Sequence, residues 1–325
     1  MSDFPQVEAL LVLPHLRIQN ANALSSPLTH GFPSMTAFTG LMWALERKAR
    51  AAGLDLQLPA VAVVVHQHEE QVTPDRYVKT LHLTRNPNDR SGNPSPIVEE
   101  GRIHLELTLL LGARGAALDD PTQSRQLAQH LLELLYTLRV AGGSLVPPLQ
   151  RSARHTPYFM ALTGTEDDRL DVFTDTVPNW LPGFALVERS DLLQQRHIEL
   201  QNIQPDATAL DALLSLSRIN WHASEADADG KAAWQNDRQG LGWIAPIPVG
   251  YGALTPLLSA GSVPNARDNE TPVRLVESLY SLGEWLSPHR LESVEQMLWY
   301  PTACVESGLY RCRNDYQPEL ETNFD

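Results

Sequence analysis

Residues 101–112 read GRIHLELTLLLG, and they restrict the fold more than any other stretch of the chain. Ile103, Leu105, Leu107, Leu109 and Leu111 fall on one side of an extended backbone, and Arg102, His104, Glu106 and Thr108 on the other. A period of two over that length predicts a strand with one buried face and one face at least partly wet. Two more segments join it. Residues 10–18 are apolar and extended in character, with Pro14 predicting an edge position or a bulge. Residues 60–65 (AVAVVV) predict a buried strand.

Helical spacing separates these strands. Over 35–50, Phe38, Leu41, Met42, Leu45 and Ala49 share a face, Ser34 or Thr36 is placed to cap, and Gly53 ends the run. Asp120 as cap and Pro121 as first residue predict a second helix with the stripe Leu127, Leu131, Leu134, Leu135 and Leu138, stopping at 141–143. A strand candidate follows at 144–146. Residues 66–100 form a turn-rich projection in which Arg76, Lys79, Arg85 and Arg90 oppose Asp89 within 76–90. The order is β-α-β-β-α-β, a ferredoxin-like unit over 1–150 with its middle hairpin enlarged.

The second half, 151–325, is less regular. It offers an acidic loop at 164–175, a short strand in LPGFALV (181–187) and two short helices near 191–200 and 208–216. A polar, acidic segment spans 222–233, and LGWIAPIPV (241–249) is apolar and interrupted by proline. Two closing helices are expected. One starts at Thr271 and Pro272 with the stripe Leu275, Val276, Leu279 and Leu282; the other starts at Ser287 and Pro288 with Leu291, Val294 and Leu298. The expected class is α+β: a ferredoxin-like, RNA-recognition-type unit carrying a hairpin, with a mixed, partly helical C-terminal region packed on it.

Composition narrows the function. The 325 residues are 42% hydrophobic and 20% charged, which is a globular composition. No apolar run approaches the roughly 20 residues of a membrane span, and MSDFPQVEA lacks the pattern of a signal peptide. The two cysteines, Cys304 and Cys312, make no disulfide framework, so a reducing cytoplasm is expected. Twenty-five basic against 39 acidic side chains leave a net charge of −14, which argues against binding nucleic acid by blanket phosphate neutralisation.

Motifs for chemistry are missing. His66 and His68 with Glu69 and Glu70 have no third ligand at metal-site spacing, and neither metal nor cofactor is expected. There is no G-x-S-x-G elbow and no G-x-x-x-x-G-K-[ST] loop, and GLGW (240–243) lacks a strand-to-helix setting. The unusual stretch is RIQNANALSSPLTHGFPS (17–34), where Gln19, Asn20, Asn22, Ser25, Ser26, Thr29 and His30 crowd between a strand and a helix N-terminus. Such side chains suit base edges and 2′-hydroxyls of unpaired RNA, and free N–H groups there suit phosphate. An ordinary polar loop with its own Asx turns and cap has the same letters.

Seven blocks carry a resemblance: 17–34 above, LTRNP (83–87), IVEEGRIHLELTLLLG (97–112), RVAGGS (139–144), LPGFALV (181–187), NARDNETP (265–272) and GEWLSPHR (283–290). Together they resemble the Csy-two family, the Cas-five-like subunits of the type I-F CRISPR surveillance (Cascade) complex. The resemblance implies a RAMP-superfamily palm with a projecting thumb at about 66–100, and no nuclease activity. It implies binding of the 5′ handle of the CRISPR RNA, a heterodimer with the large Csy-one subunit, a contact with the backbone Csy-three subunit, and target DNA met only through the complex. RNA contacts would then fall on Gln19, Asn20, Asn22, Ser25, Ser26 and His30, on Arg85, Asn86 and Arg90 of the thumb side, and on Gly142 and Gly143, where no side chain keeps a backbone away. The alternative is a metal-independent endoribonuclease of RAMP type that uses a histidine such as His30 or His104.

Overall fold

The computed structural model describes residues 4–76, 78–82, 88, 91–94, 100–120, 122–150, 152–225, 231–266 and 268–318. The chain opens with β1 (Ala9–Asn22), a small hairpin of β2 (Leu24–Ser26) and β3 (Thr29–His30), and α1 (Met35–Ala51). Next come β4 (Gln57–Glu70), a second hairpin of β5 (Val72–Asp75) and β6 (Val78–Leu81), and β7 (Arg102–Arg114). α2 (Ser124–Leu135), β8 (Arg139–Val140) and β9 (Gly143–Val146) complete the first half. β10 (Tyr158–Ala161), α3 (Glu166–Thr176), β11 (Phe184–Glu188), α4 (Ser190–Ile203) and α5 (Ala209–Leu216) follow. The rest is strand: β12 (Trp221–Ala223), β13 (Trp234–Asn236), β14 (Ile244–Ala253), β15 (Val276–Leu286), β16 (Trp299–Cys304) and β17 (Leu309–Asn314).

β9, β1, β7 and β4 lie side by side in that order, each antiparallel to its neighbour. The apolar stripes of α1 and α2 cover one face, where Phe38, Leu41, Leu45, Leu127, Leu131 and Leu135 meet Leu11, Leu13, Val61, Val63, Leu107 and Leu109. The other face is covered as well. There Leu10, Val12, Ala62, Val64 and Leu110 pack with Phe173, Val177, Trp180 and residues 291–300. Burial on both sides accounts for the continuous apolar runs in these strands. The face of β7 expected to be partly wet is so only at its start: Arg102, His104 and Glu106 are half-buried, while Thr108 and Leu110 have no exposed surface.

Pro14 sits at a bulge and not at an edge. One side of β1 pairs with β7 along its length, and the register shifts between Leu13 and Leu16. The other side pairs with β10 over Ala9–Val12 and with β9 over Arg17–Gln19. The missing N–H of Pro14 falls in the gap where that side changes partner, so no ladder bond is lost.

The second half builds mostly strands on the free edge of β4. β11, β15, β14, β17 and β16 follow one another as antiparallel neighbours. Both ends of this series return to β4, with Trp299 of β16 opposite Val61 and Phe184 and Ala185 of β11 opposite Val65 and Val64. Trp299 is fully buried, and its indole N–H donates to the Leu186 carbonyl at 2.8 Å. The Glu188 carboxylate accepts from Ser281 Oγ at 2.7 Å and from the Arg311 guanidinium at 2.5 Å, so that β11, β15 and β17 share one buried polar knot.

Three expectations are corrected here. The acidic stretch 164–175 is mostly helix α3, begun by a capping box in which Thr165 and Asp168 bond each other's backbone N–H; acids in a first turn favour the helix dipole. The two closing helices are strands and short 3₁₀ turns, because β15 is sandwiched between β11 and β14 and is apolar along most of its length. Thr271 instead donates its N–H to Asp268 Oδ1 at 2.7 Å in a loop. Asp120 caps a turn, accepting from the Thr122 N–H at 3.0 Å, and α2 begins only at Ser124. Among the described residues, no helix is long and apolar enough to cross a membrane.

Candidate functional site

The polar stretch at 17–34 divides into a tied part and a free part. Gln19, Asn20 and Asn22 belong to the end of β1, not to a loop. Asn20 has φ of 57°, at a second register shift, and its N–H donates to His104 Nδ1 at 3.0 Å. The side chains of Gln19 and Asn20 are exposed and make no hydrogen bond among the described residues. Asn22 is occupied locally: its amide donates to the Leu24 carbonyl at 2.9 Å and its oxygen accepts from the Leu24 N–H at 3.1 Å. Ser25 and Ser26 share the Thr29 hydroxyl at 2.8 and 2.6 Å, which closes the β2–β3 hairpin on itself. Ser34 caps α1 by accepting from the Thr36 N–H at 3.2 Å, and donates to the Pro248 carbonyl at 3.1 Å. Much of this neutral polarity therefore builds the turn and the cap.

His30 Nδ1 lies 3.6 Å from Glu70 Oε1, and Lys79 Nζ donates to Glu70 Oε2 at 2.7 Å. The Lys79 hydrogen bond holds the Glu70 carboxyl below its usual range. Lys79 is thus neutralised by the base of its own hairpin. Arg76, at the tip of β5–β6, is exposed and carries no ion pair among the described residues. Arg85, Asn86 and Arg90 lie outside the described residues.

The two glycines differ. Gly142 has φ of +79°, is exposed, and has nothing within 4 Å of where a Cβ would stand. Gly143 is buried, and a Cβ there would stand 2.7 Å from Ala21 N and 2.8 Å from Gln19 O. The close approach that requires glycine at 143 is that of β1's own backbone.

Asn22, Ser25, Arg139 and Gly142 line one cleft of about 660 Å³, and its remaining walls were not anticipated from the sequence. Its floor is the outer face of α1, where Thr36, Ala37, Gly40 and Ala44 leave a flat strip opposite the helix's apolar stripe. Its sides are Trp43, 42% exposed, Tyr251, 40% exposed, and Tyr310. Tyr310 stands 6.0 Å from Trp43 and 6.4 Å from Tyr251 between ring centroids. The small residues at 36, 37, 40 and 44 were the available signal; the tyrosines come from strands more than 200 residues away and leave none. Ser25 and Ser34 also line a neighbouring apolar pocket of about 370 Å³, walled by Phe184, Trp243 and Trp285.

A cluster the sequence did not reveal lies at the β1 bulge. His15 has φ of 51°, and its ring lies 4.2 Å from that of His66, tilted by 31°. His66 Nδ1 must donate to the Pro182 carbonyl at 2.7 Å, so Nε2 accepts from the Thr108 hydroxyl at 2.8 Å. Thr108 Oγ1 accepts in turn from the His15 N–H at 3.3 Å. Burial and the neighbouring His66 push the His15 imidazole down to about 4, against the Glu106 carboxylate at 2.9 Å; burial lowers His66 too. Both rings are held neutral, and both nitrogens of His66 are engaged within the fold. Among the described residues, no three His, Cys, Asp or Glu side chains group as a metal site.

Comparison with known proteins agrees with this chain's sequence blocks. A family model described as CRISPR-associated protein (Cas_Csy2) matches residues 11–312. The chain is 48% identical over 313 residues to the CRISPR-associated protein Csy2 of Pseudomonas aeruginosa (strain UCBPP-PA14), a match that covers 94% of each. This chain belongs to the Csy2 family of CRISPR-associated proteins, the family that its seven sequence blocks resemble.

Proposed function

We propose that this chain is a non-catalytic subunit of a type I-F CRISPR RNA-guided surveillance complex in the cytoplasm. In this reading it grips the 5′ handle of the CRISPR RNA, pairs with the large Csy-one subunit and abuts the Csy-three backbone. Its palm, residues 1–150, is ferredoxin-like; the order β9-β1-β7-β4 with α1 and α2 on one face supports this. Its thumb is the stretch over about 66–100, whose first residues end β4 and whose described part includes the β5–β6 hairpin, and 151–325 packs on the palm.

The observation that carries the reading is the cleft over α1. Single-stranded RNA is held by aromatic faces under its bases and donors along its backbone. Trp43 and Tyr251 offer the faces, Arg139 a cation, and Asn22 and Ser25 polar groups on the same wall, while the free amides of Gln19 and Asn20 lie just before them on β1. The first turn of α1 adds the positive end of a helix dipole. A grip of this kind needs few cations, which reconciles RNA binding with a net charge of −14.

The test is binding of RNA with the repeat-derived 5′ tag against a scrambled tag, over a salt series, by the full chain with its large partner. Tag-dependent binding with a shallow salt slope is expected. Trp43→Ala and Tyr251→Ala should each lose about 1–3 kcal/mol, and Asn20→Ala should reduce tag preference. Equal binding of both tags with a steep slope would overturn the proposal. A metal-free cleavage assay run on the same RNA separates the endoribonuclease reading; product that disappears on His30→Ala or His104→Ala would favour it.

A further inference from the structure

Among the described residues, β12 and β13 form a ribbon that pairs with no other strand. Trp221 stands opposite Asn236 and Ala223 opposite Trp234, so both indoles project from the same ribbon face as diagonal neighbours. They are 59% and 67% exposed. Leading into the ribbon, Leu210 and Leu214 lie one turn apart on the outer side of α5, whose inner side buries Ala212, Leu213 and Leu216. Ile219, between helix and ribbon, is also exposed. An isolated two-stranded ribbon is marginal in water, and tryptophans left open on one are the residue type that dominates protein interfaces.

Exposed indoles would equally suit stacked bases, and charge decides between the two. From 196 to 238, which spans α5, the ribbon and their flanks, the sequence carries Glu199, Asp206, Asp211, Glu225, Asp227, Asp229 and Asp237 against Arg196, Arg218, Lys231 and Arg238, an acidic excess. A phosphate backbone is repelled by such a surround, whereas a protein with an apolar centre and a basic rim is attracted to it.

We infer that the outer side of α5 and the Trp221/Trp234 face of the β12–β13 ribbon are a docking surface for a protein partner with a basic rim. This rests on the reading that the chain works inside an assembly, and the partner to be tried is the large subunit. Binding of the full chain to purified Csy-one, with guide RNA present, is measured for wild type, Trp221→Ser/Trp234→Ser, Leu210→Asp and Glu225→Lys. The double variant and Leu210→Asp should bind the large subunit at least tenfold more weakly, with handle binding unchanged. Leu210→Asp, on the helix, keeps the test valid if the ribbon fails to form in the double variant. Glu225→Lys should slow association, most at low salt. Undiminished binding by the double variant and by Leu210→Asp, while wild type binds, would overturn the surface alone. Crosslinks from Trp221 or Trp234 to RNA, or self-association abolished by the double variant, would assign the surface to another occupant and overturn it. No binding by wild type would overturn the assembly reading and the surface with it.

Discussion

Thr108 shows how much one residue decides. Its hydroxyl accepts the backbone N–H of His15 and donates to His66 Nε2, tying the β1 bulge to β4, while burial keeps both imidazoles neutral beside the carboxylate of Glu106. Because the folded-state value of His15 lies near 4 against an ordinary 6.5, the unfolded chain binds more protons between those values. The stability this group contributes is present above about pH 6.5 and lost as pH falls towards 4. Unfolding midpoints should therefore drop over that window, and His15→Gln should flatten the drop; an unchanged slope in the variant would refute the assignment. The glycines give a second contrast. Gly143→Ala drives a methyl into the β1 backbone and should cost about 1–3 kcal/mol, whereas Gly142→Ala meets only left-handed strain of about 1 kcal/mol. Denaturant unfolding of the two variants measures the difference. Of the expected contact residues, Gln19, Asn20 and Gly142 could be recognised from sequence as exposed polar or flexible positions. That Gly143 serves strand packing could not, since its neighbour in space is the backbone at 19–21.

At the scale of elements, periodicity succeeded where the apolar positions keep one spacing along the element. α1 and its Ser34 cap, the stripe of α2, and the strands β7 and β9 all follow from spacing. It failed for β15, where Leu275, Val276, Leu279 and Leu282 fall at a helical spacing although the first two are exposed and only the 281–286 end is mostly buried in the sheet. The acidic stretch failed in the opposite sense. Its apolar stripe is thin, with Phe173 the only residue of α3 that is buried, so the capping box and the acidic first turn carry the start of the helix. Thr165→Ala should accordingly destabilise α3 by about 1 kcal/mol, read as faster amide exchange over 166–176 with exchange in β1 and β7 unchanged. Exchange rising equally throughout would mean that α3 is coupled to the core as one unit.

For the whole molecule, the closure of the second-half strands onto β4 is decisive. β4 serves β7 on one edge and both β16 and β11 on the other, and Trp299 is buried where these strands meet. Trp299→Ala removes that filling and the hydrogen bond to Leu186, and should cost about 3–5 kcal/mol, measured as a lowered unfolding midpoint of the full chain. A loss below 1 kcal/mol would mean that the site collapses around the gap. The same closure brings β14 and β17, which bear Tyr251 and Tyr310, beside α1. The sequence by itself determined the strand–helix order of the first half, its two apolar helical faces, the family and the absence of recognisable catalytic motifs, because these are properties of neighbours along the chain. The tertiary structure alone decided which polar side chains of 17–34 are left free, which glycine faces open space, and which aromatics wall the cleft. Each of these depends on contacts between segments far apart in sequence, whose meeting no local pattern encodes.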